Sequence, residues 1–165
     1  MAALEPFRAP AFSRDKGDPK PLSYLRSTAD QKKGGLDVRL EVFLTTSIMR
    51  RNKLEPIRLG RSTTRDLYWT PAQLVAHHTS NGCNLQIGDL LATGTVSGPE
   101  LSSAGCLLEL TSNGAAPIAL PTGETRAFLS DGDEVIIRGF CERSGHPRIG
   151  LGECRATILP ARPTH

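Results

Sequence analysis

From Leu36 the chain alternates, with Leu36, Val38, Leu40, Val42 and Leu44 set between Asp37, Arg39, Glu41 and Phe43. A period of two over this length predicts a strand with one buried face. Further strands are predicted at 89–95, 106–111, 134–141 and 149–159, each bounded by Gly, Pro, Ser or Asn clusters. The period shifts to that of a helix at Thr70-Pro71-Ala72-Gln73. There a Thr at the N-cap, a Pro at the first helical position and a Gln three residues on form a capping-box pattern, with Trp69 and Leu74 as a hydrophobic staple. Asn81-Gly82 supplies the left-handed conformation that closes a last turn, so the helix is short and lies near residues 71–80. One short helix among five or more strands predicts a mainly β, α+β chain with mostly antiparallel pairing.

Residues 1–35 carry little periodicity and are rich in Pro, Lys, Asp and Gly, which reads as an extended, Pro-rich connecting segment. The packed part is then 36–161, followed by a tail at 162–165. At 165 residues the chain suits one ordinary domain or a piece of a larger one, able to bury roughly 70% of its unfolded surface. Apolar residues at 38% and charged residues at 22% exclude coiled coil and disorder. No run approaches the roughly 18 apolar residues of a membrane span, and Met1-Ala2-Ala3-Leu4-Glu5-Pro6 lacks a signal-peptide pattern, so a soluble cytoplasmic protein is expected.

A net charge of +3 is too small to argue for nucleic acid, and Arg50-Arg51-Asn52-Lys53 reads as a solvated turn. Cys83, Cys106, Cys141 and Cys154 have no CxxC spacing and lie in or beside apolar segments, as reduced cysteines do. Neither a disulfide frame nor a zinc site is expected from them.

The conspicuous carboxylate is Glu109, inside Gly105-Cys106-Leu107-Leu108-Glu109-Leu110. On a predicted strand with apolar neighbours it either looks out at a sheet edge or meets a specific cation, imidazole or donor. Gly94-Thr95-Val96-Ser97-Gly98-Pro99 is a glycine-flanked turn whose backbone N–H groups and two hydroxyls can face an anionic or carbonyl ligand. It lacks the Lys of a phosphate-binding loop. His77 and His78 are adjacent on the helix, point about 100° apart and so do not share a metal. Asp37 and Glu41 sit on one face of the first strand, where cross-strand solvation explains them, and Gly150-Leu151-Gly152 lacks the rest of a dinucleotide motif.

Several long stretches carry a resemblance to a known family. They are Tyr68-Trp69-Thr70-Pro71-Ala72-Gln73, His77 through Leu85, Gly88 through Glu100, Leu107-Leu108-Glu109-Leu110, Thr125-Arg126, Phe128-Leu129, Asp131 through Ile137, and Leu159-Pro160-Ala161. Together with Asp18-Pro19-Lys20-Pro21-Leu22-Ser23-Tyr24-Leu25 they resemble the fumarylacetoacetase family over nearly the whole chain. The resemblance implies a partial β-roll or sandwich and a hydrolase that cleaves a carbon–carbon bond of fumarylacetoacetate, giving fumarate and acetoacetate in tyrosine breakdown. It implies a His general base that activates water, a Glu that orients that His, and Ca²⁺ that binds the diketone oxygens. Glu109 matches the His-orienting position, and Thr95 matches a Thr that contacts substrate.

The family's catalytic His, its Ca²⁺ ligands and the residues around its structural Mg²⁺ precede the matched region. Neither His77 nor His78 takes the place of the base, and Asp37 and Glu41 do not replace the metal ligands. The chain is therefore expected to be the C-terminal portion of a fumarylacetoacetase, with no metal ligands of its own. It is expected to act on a small-molecule substrate, without nucleic acid or membrane, and as part of a homodimer when complete. The competing expectation is a non-catalytic β scaffold or dimerisation fragment.

Overall fold

The computed structural model describes residues 2–162, so 163–165 of the expected tail lie outside the described residues. In chain order the strands are β1 (Arg8–Ala9), β2 (Gly35–Leu36), β3 (Arg39–Thr45), β4 (Ile57–Thr63), β5 (Ile118–Ala119), β6 (Thr125–Arg126), β7 (Glu134–Cys141) and β8 (Ile149–Thr157). The helices are α1 (Thr28–Lys33), α2 (Ser47–Arg51), α3 (Pro71–Thr79) and α4 (Leu107–Leu110). The expected α+β arrangement is present, with more helix than the single one predicted near 71–80.

A four-stranded antiparallel sheet in the order β4-β3-β7-β8 organises the chain. The predicted strands at 36–44, 134–141 and 149–159 supply β3, β7 and β8. The fourth, β4, was not foreseen, because Ile57 and Leu59 are its only large apolar residues and Gly60 and three charged or hydroxyl side chains follow. A bulge opposite Val42/Phe43 also breaks its phase. β5 with β6, and β1 with β2, add two-stranded antiparallel ribbons.

Two predicted strands are absent. Residues 89–95 form no strand: Leu90 and Leu91 are exposed and the segment has no regular secondary structure. Apolar content alone does not make a strand when no neighbour offers a ladder edge. Residues 106–111 form α4 instead, with Cys106 extended at φ −150° as its N-cap. A continuous apolar run of this length does not separate strand from helix by period. The basic run is likewise more than a turn, since Arg50 and Arg51 lie in the last turn of α2 and Arg50 donates to the carbonyls of Thr45 and Gly132.

Residues 1–35 are not simply extended. A 3-10 helix at Ala2–Phe7, strand β1 and helix α1 lie within them, and β1 pairs with β2. Phe7 joins Val38 and Cys141 in a buried cluster flanked by Leu4, Leu36, Leu40 and Ile149. Burial pushes the Cys141 thiol up, with Asp37 adding to the shift. α3 follows the sequence closely: Thr70 Oγ1 accepts from the Gln73 N–H, Gln73 Oε1 accepts from the Thr70 N–H, and Pro71 opens the helix. Gly82 is left-handed at φ +89°, two residues beyond the C-cap Ser80.

One sheet face, with Val42, Val135 and Ile137, is only partly covered by α4 and by Phe128 and Leu129. A cavity of about 420 Å³ remains between them, and Ile137 is 41% exposed. Among the described residues no helix is long and apolar enough to cross a membrane.

Candidate functional site

The site is built by two short stretches that meet at one glycine. In the first, Gly94 takes φ +79°, which a residue with a Cβ adopts only with strain, and turns the chain into Thr95-Val96-Ser97. Gly98 then donates its N–H to the Ser103 carbonyl at 3.0 Å. A Cβ on Gly98 would come within 2.6 Å of Ser103 Oγ and 2.8 Å of Asp66 Oδ2, so the loop closes only because Gly98 has none. The 3-10 turn Leu101–Ser103 seats this loop on β4, where Gly60 lies close under the Ala104 carbonyl.

The second stretch is Gly105 through Glu109. Because α4 begins at Leu107, Glu109 is its third residue, and a helical side chain leans toward the N-terminus, where the first N–H groups have no intrahelical partner. Glu109 reaches back and accepts the Gly105 N–H on Oε2 at 3.1 Å. This resembles a capping box, shifted one residue outward and made with Cys106 in place of the usual hydroxyl cap. The Ser97 hydroxyl donates to the same carboxylate, 2.9 Å from Oε1 and 2.7 Å from Oε2.

Glu109 is therefore not a carboxylate in a dry strand; it is exposed, helical and hydrogen-bonded. The Ser97 hydroxyl, followed by the Gly105 N–H, holds its carboxyl below the ordinary value, so it is ionised at neutral pH. Ser97 and Gly105 were the partners missed from sequence. The signal for them was the capping spacing from Cys106 to Glu109, which the strand reading concealed.

Gly105 also brings in Thr95. A Cβ on Gly105 would collide with the Thr95 methyl and stand 2.7 Å from the Val96 carbonyl and 2.9 Å from Ser97 Oγ. Thr95 and Glu109 are thus placed on either side of one Cα that has no side chain. Thr95 is exposed, and its hydroxyl has no hydrogen-bond partner among the described residues. Gly105→Ala is expected to cost about 1–3 kcal/mol, because the new methyl meets the Val96 carbonyl, a backbone atom that cannot rotate away, as well as the Thr95 and Ser97 side chains. Chemical denaturation checks the loss, and NMR titration should show the Glu109 carboxyl moving back toward its ordinary value. Wild-type stability with an unmoved titration would contradict this packing.

A carboxylate accepts about four hydrogen bonds, and two donors reach it here, the single Ser97 hydroxyl shared between both oxygens and the Gly105 N–H, so it has room for a further donor. The described histidines are engaged elsewhere. His77 Nδ1 pairs with the Tyr24 hydroxyl at 2.9 Å, His78 Nε2 with Cys83 Sγ at 3.2 Å, and His146 packs edge-on to Phe7. His77 and His78 thus diverge as their adjacency requires. Among the described residues no three His, Cys, Asp or Glu side chains gather as a metal site, so no step is derived through a metal held by this chain.

Comparison with known proteins adds a consistent picture. Residues 20–159 match the family model for the fumarylacetoacetate hydrolase C-terminal region. The chain is 47% identical over 163 residues to a fumarylacetoacetase of Arabidopsis thaliana, covering 99% of this chain and 36% of that protein. It is 46% identical to one of Oryza sativa subsp. japonica over 163 residues, 99% of this chain and 35% of the relative. Against one of Homo sapiens the identity is 45% over 161 residues, 98% of this chain and 36% of the relative. The chain therefore spans about a third of the length of these curated relatives.

Proposed function

The chain belongs to the fumarylacetoacetate hydrolase family, and from that premise we propose that it supplies the Glu109 and Thr95 side of a carbon–carbon hydrolase site. The substrate is fumarylacetoacetate and the products are fumarate and acetoacetate, a step of tyrosine breakdown. The observation that carries this reading is the meeting of Thr95, Ser97 and Glu109 around Gly105.

In this reading Glu109 is a positioning residue. Its ionised carboxylate accepts the N–H of an imidazole contributed from outside this chain, fixing the tautomer whose other nitrogen takes a proton from water. Ser97 and the Gly105 N–H keep the carboxylate charged and in one rotamer while that proton moves. The free Thr95 hydroxyl orients substrate by one hydrogen bond. Ca²⁺ at the diketone and a structural Mg²⁺ belong to the complete enzyme, and residues outside this chain would hold them. The complete protein is proposed to be a cytoplasmic homodimer.

Thr95→Val in a complete enzyme carrying this segment keeps the shape and deletes the hydroxyl. The expected cost is about 0.5–1.5 kcal/mol, read as a Michaelis constant that rises more than turnover falls. Unchanged kinetics in a folded variant would leave Thr95 as a turn residue.

A second reading is favoured by one observation: none of the described histidines faces Glu109, each having its own partner. On that reading the chain alone is a scaffold without catalysis. Steady-state assay of the purified chain with fumarylacetoacetate separates the two.

A further inference from the structure

A polar cavity of about 340 Å³ lies at the β4 edge of the sheet, apart from Glu109 and from the apolar cavity under α4. Arg39, Arg61, Arg65, Asp37, Asp66 and Ser103 are among its walls. The strand register explains the concentration of guanidinium groups. Arg39 stands opposite Thr63 and Glu41 opposite Arg61, and residues two apart share a face, so Arg39 and Arg61 flank Glu41 on the same side of the sheet. Arg65 enters from the 3-10 turn Thr64–Asp66 that follows β4.

The anions available on this face are already engaged. Glu41 Oε1 is 3.3 Å from Arg58 and 3.4 Å from Arg61, and Asp37 is 3.8 Å from Arg65 while accepting from the Thr63 hydroxyl at 3.4 Å. Arg39 is half-buried and takes part in none of these pairs, nor in any other ion pair among the described residues. The only buried side-chain nitrogen or oxygen atoms without a partner among those residues are Arg14 Nη2 and Thr45 Oγ1, so the Arg39 nitrogens keep contact with solvent in the cavity. A partly desolvated guanidinium without a counter-charge is a poor end state unless an anion completes it. Asp66 also lines the cavity, close to Gly98; it makes no ion pair among the described residues and limits how much further negative charge the cavity accepts.

We propose that this cavity is a binding site for a small dicarboxylate, with Arg39 as its anchor and Arg61 and Arg65 as the secondary cations. The planar fork of a guanidinium matches the two oxygens of a carboxylate, and three such forks around one concave wall suit a ligand with a carboxylate at each end. Ser103 adds a hydroxyl from the same loop that carries Thr95. The proposal concerns binding alone and does not depend on the hydrolase reading.

The test is calorimetric titration of the chain with succinate at low ionic strength, with succinamide as the neutral control and inorganic phosphate as a tetrahedral anion. Succinate is expected to bind with a dissociation constant on the order of 1 mM, weakened by added salt. Arg39→Gln should weaken binding at least about fivefold and Asp66→Asn should tighten it, while Lys53→Gln, which removes an exposed cation away from the cavity, leaves it unchanged. If Arg39→Gln fails to fold, Arg39→Lys keeps the charge, loses the fork and should still bind succinate measurably less well. Succinate binding no stronger than succinamide, phosphate binding tighter than succinate, or affinity insensitive to Arg39 would each overturn the proposal.

Discussion

Glu109→Gln in a complete enzyme containing this segment is expected to lower turnover by roughly 10²–10⁴ with little change in the Michaelis constant. The amide has nearly the same shape, and its oxygen still accepts from Ser97 or Gly105, so α4 and the loop at 94–98 should persist. On the proposed reading, what is lost is the negative charge that would face the imidazole and support the imidazolium formed when water gives up its proton. The amide nitrogen also presents a donor where the carboxylate presented only acceptors, which misorients the ring. Steady-state kinetics check the effect. Near-normal turnover would remove Glu109 from the mechanism, and a matching rise in the Michaelis constant would make it a binding group.

The second large effect is on stability, at Asp133. Its side chain is fully buried, and Arg126 grips it with both ends of the guanidinium, Nε to Oδ2 at 2.7 Å and Nη2 to Oδ1 at 2.9 Å. The Ser130 N–H adds a third bond to Oδ2 at 2.9 Å. Arg126 is itself largely buried and also reaches Glu124 Oε1 at 3.0 Å, while Glu124 Oε2 accepts from Thr122 and Thr46. Thr46 in turn caps α2, so the network joins β6, the turn before β7 and the helix after β3. Asp133, more than Glu124, raises the Arg126 pKa, and the Thr122 hydroxyl, followed by that of Thr46, lowers the Glu124 pKa.

Asp133→Ala removes the main counter-charge of a guanidinium that has little water to turn to, and a loss of about 3–5 kcal/mol is expected. Arg126→Met should be of similar severity, since it strands Asp133, whereas the double variant should recover part of the loss because neither charge is left alone. Chemical denaturation of the three variants checks this. Additive losses would show that the pair is not coupled. The pH dependence has a definite sign. The folded pKa of Glu124 is depressed, so its contribution is present above the unfolded carboxylate value and is lost as pH falls through the folded one.

Legibility in the sequence followed the surroundings of each segment. β7 was predicted at 134–141 and observed at Glu134–Cys141, because it is central, paired on both sides, and its pattern reflects that environment. α3 was legible through its capping box, a purely local device. β4 was hidden because it is an edge strand whose side chains serve ion pairs and a glycine contact in place of a core. The segment at 89–95 has strand-like composition but meets no edge, which no local pattern reveals.

At the site, Glu109 stood out in the sequence by its apolar setting, whereas the glycine-flanked turn 94–99 stood out only as a whole and Thr95 within it was picked out by the family resemblance. The resemblance matched Glu109 as well. That they meet at Gly105 was not legible, because the contact needs Gly98 to close the loop and Gly60 to seat it on β4. Sequence spacing gives no hint of three close approaches stacked in this way.

The most direct measurement is fumarylacetoacetate cleavage by the purified chain, alone and after mixing with a separately produced remainder of a full-length fumarylacetoacetase. The chain matches 35–36% of such relatives, and its described histidines are committed away from Glu109. No turnover by the chain alone, with turnover appearing on mixing and lost again with Glu109→Gln, is the expected result. Cleavage by the chain alone at the rate of the mixture would contradict it.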